Sequence, residues 1–281
     1  MLSAEHVVDD DQLELAGPSG RIVRLHEVNT LMSGVNLRVR YGLSEWVLPE
    51  ISVPVRRVAI EPFFEDQDGT RIDDTESIHH RKETLSGLGD VKLTAAFPLH
   101  IDVEGLRLTL RVGSTLPTGS VEPDPGVLGA EGKSHQHIFF GSGTFDPVFG
   151  VEAALRTGSL LLTGQVQGRS PALYAAEHDY RQGGRGSASL GAHWILGAWR
   201  FGVHPGMYFE TPSKWGSSPA LNSGRLDALA SGSVGYAPTD PLIPSLTLSL
   251  GRPINIETDG GQFNTAFSGS LSASWLLGGS S

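Results

Sequence analysis

Histidine pairs, clustered carboxylates and serines are the residues here whose types and spacing suggest chemistry. His79 and His80 are adjacent, and His135-x-His137 puts two imidazoles on one face if that stretch is extended. No third ligand is fixed by spacing, so solvated loop histidines are the reading and no metal is expected. Glu65, Asp66, Asp68, Asp73, Asp74 and Glu76 surround Gly69. A calcium loop wants oxygen ligands at alternate positions and a closing Glu; this spacing is loose and lacks that Glu. A plain solvated loop is the reading, and divalent bridging to lipopolysaccharide is the alternative. Gly-x-Ser-x-Gly, a phosphate loop, a dinucleotide fingerprint and His-Glu-x-x-His are all missing from the sequence. Ser and His are both present, but no local motif selects a pair for nucleophilic catalysis. The expectation is no enzyme, no cofactor and no catalytic residue.

The elements that carry these residues have a period of two. Leu106, Leu108, Leu110 and Val112 alternate with Arg107, Thr109, Arg111 and Gly113. Val91, Leu93, Ala95 and Phe97 alternate with Asp90, Lys92, Thr94 and Ala96, and Leu37, Val39 and Tyr41 with Asn36, Arg38 and Arg40. Phe267 to Leu277 repeats the pattern against serines. Strands send successive side chains to opposite faces, so each segment has one apolar and one polar face. The expected strands are 20–28, 35–41, 46–57, 89–98, 106–116, 143–155, 160–169, 187–196, 199–208, 225–236, 246–253 and 263–277. Most approach the 9–11 residues that a tilted strand needs to cross a bilayer. Short connections at 42–45, 99–105, 156–159, 197–198 and 237–245 alternate with long ones at 58–88, 117–142, 170–186 and 209–224. Bacterial outer-membrane barrels have that asymmetry, with short periplasmic turns and long outer loops. No amphipathic helix is available to cover the apolar faces. Closure removes the sheet edges, and lipid covers those faces. The predicted fold is all-β: an antiparallel transmembrane β-barrel of about twelve strands over 20–281, after an N-terminal extension at 1–19.

Composition fits this in part. Glycine is 36 of 281 residues, well above the usual ~7%, as turns and crowded inward positions of a barrel require. Cys is absent, which excludes a disulfide scaffold and thiolate chemistry. A net charge of −10 argues against nucleic acid as a partner. Mean hydropathy is near zero, and no run of about 20 apolar residues forms a membrane helix. Aromatics, at 7%, are few for two girdles. Met1-Leu2-Ser3-Ala4-Glu5 is not a signal peptide, so a barrel requires an export signal that was removed or lies upstream of this start.

Several short motifs then stand out in order. They are Tyr41-Gly42-Leu43-Ser44-Glu45-Trp46, Ser86-Gly87-Leu88-Gly89-Asp90-Val91-Lys92-Leu93, Leu116-Pro117-Thr118-Gly119 and Gly141-Ser142-Gly143-Thr144-Phe145-Asp146-Pro147. Together they resemble the family named for the meta-pathway of phenol degradation, over roughly 35–277. The resemblance implies a Gram-negative outer-membrane barrel that passes small, aromatic or hydrophobic molecules, with outer-membrane lipid and lipopolysaccharide around it. The chain departs from the usual barrel ending: its last strand closes on Trp275-Leu276-Leu277 rather than on a terminal aromatic residue. Read physically, Gly42 and Gly119 suit turns with unusual backbone angles, and Pro117 ends a strand.

Alternation gives the inward set: Arg38, Arg40, Glu50, Arg56, Asp90, Lys92, Arg107, Arg111, Asp146, Glu152, Arg200, His204 and Asp227. These residues either line a pore that selects a polar or anionic solute, or form ion pairs that fill a narrow interior. The corresponding functions are a conducting channel and a non-conducting barrel that serves as an envelope scaffold.

Overall fold

The computed structural model describes residues 2–6, 23–72, 82–135, 138–171, 173–174, 177–220, 223–240, 243–258 and 267–275. Twelve strands make one antiparallel sheet: β1 (Leu2–His6), β2 (Val23–Arg40), β3 (Leu48–Asp66), β4 (Val91–Leu99), β5 (Leu106–Leu116), β6 (Pro147–Thr157), β7 (Leu160–Arg169), β8 (Arg185–Leu196), β9 (Trp199–Glu210), β10 (Arg225–Tyr236), β11 (Ser245–Thr258) and β12 (Ser268–Ser274). Each pairs with its neighbour in chain order. The extra strand Glu83–Leu88 lies on β3 beyond the end of β4. The sheet curls on itself, because Arg56 on β3 and Arg185 on β8 lie within electrostatic reach of each other although four strands lie between them. The architecture is an antiparallel transmembrane β-barrel.

Strand β9 shows why lipid is its solvent. Its outward residues are Trp199, Phe201, Val203, Pro205, Met207 and Phe209, all apolar. Five of the six are large hydrophobics at 41–50% exposure. Leu190 on β8 and Leu271 on β12 stand at 68% and 75%. A soluble protein does not present such a surface. Trp199 and Phe209 lie ten residues apart, which at ~3.4 Å per residue and ~40° tilt spans about 26 Å, the height of a barrel's apolar band. A set of aromatics marks the end of that band on the short-turn side. Trp199 packs against Tyr236, with ring centroids 5.2 Å apart, and Trp46 against His100 at 4.5 Å. Tyr41, Trp194 and Trp275 are exposed at the same level.

Two turns show how glycine permits the tight connections. Gly158 and Gly197, at φ +58° and +61°, sit in the two-residue loops between β6 and β7 and between β8 and β9. Gly42 and Gly119 are not of this kind, contrary to the sequence reading. Gly42 has no positive φ and open space around it. Gly119 is required by close approach, since a Cβ there would lie 2.6 Å from the backbone of Gly141.

The N-terminal part departs from the expected strand boundaries. The segments 20–28 and 35–41, expected as two strands around a loop at 29–34, are parts of the single 18-residue strand β2. The first strand is β1, within the stretch 1–19 read as an extension. Gly34, in the expected loop 29–34, lies in the ladder, where a Cβ would come within 2.6 Å of the Val55 carbonyl oxygen. β3 runs on to Asp66 rather than ending at 57.

Candidate lumen site

Inward positions on β2–β6 interlock around one carboxylate. Glu50 Oε2 accepts from Arg40 at 2.7 Å, and its Oε1 lies 3.2 Å from Arg111 Nη1 and 3.5 Å from Arg38 Nε. The Glu50 side chain is 1% exposed. Arg111 donates onward to Glu152 at 3.0 Å and reaches Thr94 at 3.4 Å. Three guanidiniums thus share Glu50, with Glu152 as the second acid. Lys92 is on the same face of neighbouring β4, paired in register with Ser52 of β3. It makes no ion pair among the described residues. Arg107 follows the inward parity of β5, four residues nearer the short turns.

Asp90 and Asp146 belong to a second assembly, at the long-loop end. The Asp90 carboxylate accepts from the backbone N–H of Gly119 at 3.1 Å and of Ser142 at 2.8 Å. Asp146 accepts from Thr144 Oγ1 and lies 3.6 Å from Arg169. These bonds hold the connection 117–146 over the barrel interior. Phe140 from this connection packs on Val28, Val58 and Ile60, the inward face of β2 and β3. A Cβ on Gly87 would come within 2.6 Å of the Phe140 ring, so that glycine makes room for it. The preceding residue, Phe139, meets the other loops instead. Its ring centroid lies 5.2 Å from Tyr180 and 5.8 Å from Trp215. Tyr180 donates to Ser213, and its burial pushes the hydroxyl's pKa up. Successive residues therefore anchor on opposite sides, and the segment crosses the mouth.

The other predicted residues lie apart from these two groups. Arg200 is inward on β9, opposite Gly235. His204 lies 2.9 Å from Ser233 Oγ and 4.7 Å, ring to ring, from His193. Asp227 pairs with Arg225 at 2.9 Å and accepts from Asn255 at 3.0 Å. Arg56 lies in the ladder between β3 and Glu83–Leu88. His193, Arg169, Arg185, Glu210 and Arg225 were missed by the sequence reading. All five continue the inward parity of their strands; Arg185 and Glu210 lie beyond the expected segments 187–196 and 199–208, whereas Arg169, His193 and Arg225 fall inside expected strands. Arg185 pairs with Glu210 at 2.8 Å.

Asp66, from the acidic loop, accepts from the N–H of Asp68 and Thr70 around Gly69 at φ +76°, which is a turn device. His135 bonds the Lys133 carbonyl oxygen through Nδ1. Asp73, Asp74, Glu76, His79, His80 and His137 lie outside the described residues. Among the described residues no three His, Asp or Glu side chains gather as a metal site.

The fold is that of a known membrane protein. A crystal structure of an outer membrane channel from Pseudomonas putida F1 matches with a TM-score of 0.59 at 14% identity, over 96% of this chain and 88% of that one. No family model and no curated protein matches the sequence.

Proposed function

We propose that the protein is a passive outer-membrane channel of a Gram-negative bacterium that favours small solutes carrying an acidic group. One observation carries the reading. On the wall formed by β2–β6, Arg38, Arg40, Lys92 and Arg111 face only Glu50 and Glu152, so the wall is net positive. Charges lining a narrow, low-dielectric passage act far more strongly than on open surface. The motif resemblance implies small, aromatic or hydrophobic solutes, and the likeness to an outer membrane channel supports passage. The test is the reversal potential in a planar bilayer under a salt gradient. Anion preference is expected, and Lys92→Gln with Arg107→Gln is expected to reduce it. Cation preference in the wild type would overturn the reading.

A second reading rests on the segment 117–146. With Phe140 packed inside and Phe139 tied to the opposite loops, it narrows the mouth. A barrel without measurable conductance would be a scaffold whose lumen charges serve as internal ion pairs.

A further inference from the structure

Four strands, β7 to β10, bring two imidazoles and two hydroxyls together on the lumen face, where glycine leaves room for them. In one cross-strand row His193 on β8 is paired with Gly202 on β9, and Gly202 with Ser233 on β10. In the next row Thr163 on β7 is paired with Gly191 on β8. His204 stands two residues beyond Gly202 on the same face, and its ring centroid lies 4.7 Å from that of His193 at an interplanar angle of 68°. A Cβ on Gly202 would find Ser233 Oγ at 2.6 Å and both His193 Nδ1 and His204 Nε2 at 2.8 Å. A Cβ on Gly191 would find Thr163 Oγ1 nearest, with His204 Nδ1 at 3.0 Å and His193 Nε2 at 3.1 Å. Each glycine thus floors a small recess walled by two ring nitrogens and one hydroxyl.

The chemistry of this cluster is that of a soft cation site. His204 Nε2 lies 2.9 Å from Ser233 Oγ, and His193 Nε2 lies 3.3 Å from Thr163 Oγ1. A hydroxyl donates or accepts as required, so both rings can stand neutral with a lone pair to offer. Two nitrogens that close to one point need only a small ring rotation to meet a metal at the ~2.0–2.1 Å of an imidazole–metal bond. A ligating imidazole is commonly oriented by a hydrogen bond from its other nitrogen, and Thr163 is placed to receive that bond from His193. Magnesium and calcium require several oxygen ligands, whereas imidazole suits zinc, copper and nickel. Arg200 is the charged group within electrostatic reach of His193, and it opposes a cation.

We propose that His193 Nδ1 and His204 Nε2 bind one divalent transition-metal ion of the zinc and copper class over Gly202, with Ser233 Oγ and water completing its coordination. Thr163 steadies the His193 ring from behind. The four side chains are half-buried rather than sealed, so the ion enters from the lumen. Two nitrogens with no carboxylate beside them, and Arg200 nearby, make a site that exchanges its ion rather than a structural one. A bound ion narrows this wall of the lumen and adds positive charge to it. The inference does not rest on conduction.

Copper(II) titration of the full chain, folded in detergent and stripped with EDTA, tests it by electron paramagnetic resonance. The expected result is one equivalent whose signal carries nitrogen superhyperfine splitting. H193Q/H204Q is expected to lose that equivalent, and H79Q/H80Q, at the adjacent histidine pair of the sequence, to keep it. In zinc(II) calorimetry, H193Q and H204Q are each expected to weaken binding about tenfold or more. R200Q leaves both rings in place and removes the repelling charge, so it is expected to tighten binding several-fold. Heat-modifiable gel mobility shows that each variant has folded. Equal copper loading of wild type and H193Q/H204Q would overturn the proposal. So would loss of the equivalent in H79Q/H80Q instead, weaker zinc binding by R200Q, or magnesium binding as tight as zinc.

Discussion

The two walls of the lumen are built on different plans. From β2 to β6 the inward positions carry long charged side chains that grip one another through Glu50 and Glu152. From β8 to β12 the inward positions are mostly short: Ser187, Ser189 and Gly191, then Gly202 and Gly206, then Ser231, Ser233 and Gly235, then Thr247, Ser249 and Gly251, and finally the serines of β12. Larger inward side chains here include Arg185, Arg200, Tyr208, Glu210, Arg225 and Asp227 and the pair His193 and His204, which lies against glycines, since a Cβ on Gly202 would meet both rings within 2.8 Å. One wall supplies charge and rigidity while the other supplies open cross-section. Any solute that passes moves along the short-chained wall and is read by the charged one.

The sharpest break of this contrast is Glu50→Gln. It leaves three guanidiniums around a neutral group, and losing one partner of a buried ion pair costs about 3–5 kcal/mol. Ser233→Ala on the other wall is expected to cost less than about 0.5 kcal/mol. Urea unfolding in micelles, followed by tryptophan fluorescence, measures both. Similar costs would mean that the walls do not differ in rigidity.

Facing comes next. Leu190→Arg puts a cation in lipid and is expected to cost about 2–4 kcal/mol, while Ser189→Arg, one residue away, points into the open lumen and is tolerated. Leu108→Arg and Thr109→Arg repeat the test on the charged side. There the lumen substitution is expected to be the less well tolerated of the two lumen changes, because Thr109 neighbours Glu152 in register and Arg111 already occupies that carboxylate. Equal costs within each pair would place the register one residue off.

Phe139→Ala and Phe140→Ala act on the segment that joins the two walls. Each is expected to raise single-channel conductance and the protease sensitivity of 117–146, and Phe140→Ala, which empties a buried site against Val28, Val58 and Ile60, also lowers stability. Unchanged conductance would put the narrowest point elsewhere. The smallest effect concerns charge placement. Lys92→Gln should move the reversal potential slightly toward cations, and Ser249→Lys, on the short-chained wall, slightly toward anions. If only the second substitution acts, ions do not sense the charged wall.

Much of this was readable from the sequence because a barrel strand is a simple code. Leu106–Val112 alternates without interruption, and the strand it predicts, 106–116, is the one observed. The code fails where glycine has a second meaning. Gly34 marks a close approach inside a ladder and Gly119 a contact between the two ends of one connection, yet each has the look of a turn residue. Alternation assigns a side chain to a face but not to a partner. That Arg38, Arg40 and Arg111 meet on Glu50 depends on strand register and tilt, which no single strand encodes. The contact of Phe140 with Val28, Val58 and Ile60 joins segments about 80 to 110 residues apart and left no local signal.

The great length of β2 and β3 has a consequence for how a molecule reaches the opening. β3 has 19 residues, about 48 Å of height at ~40° tilt, where 9–11 residues suffice to cross a bilayer. With Glu83–Leu88 alongside, these strands stand above the membrane as a parapet on one side only, while β7 ends at Arg169 after ten residues. The rim is therefore slanted, lower along the β7–β10 edge than at β2 and β3. In the proposed channel, a solute arriving from the loop side meets the parapet as a backstop, so entry across the β7–β10 edge is favoured over entry from directly above.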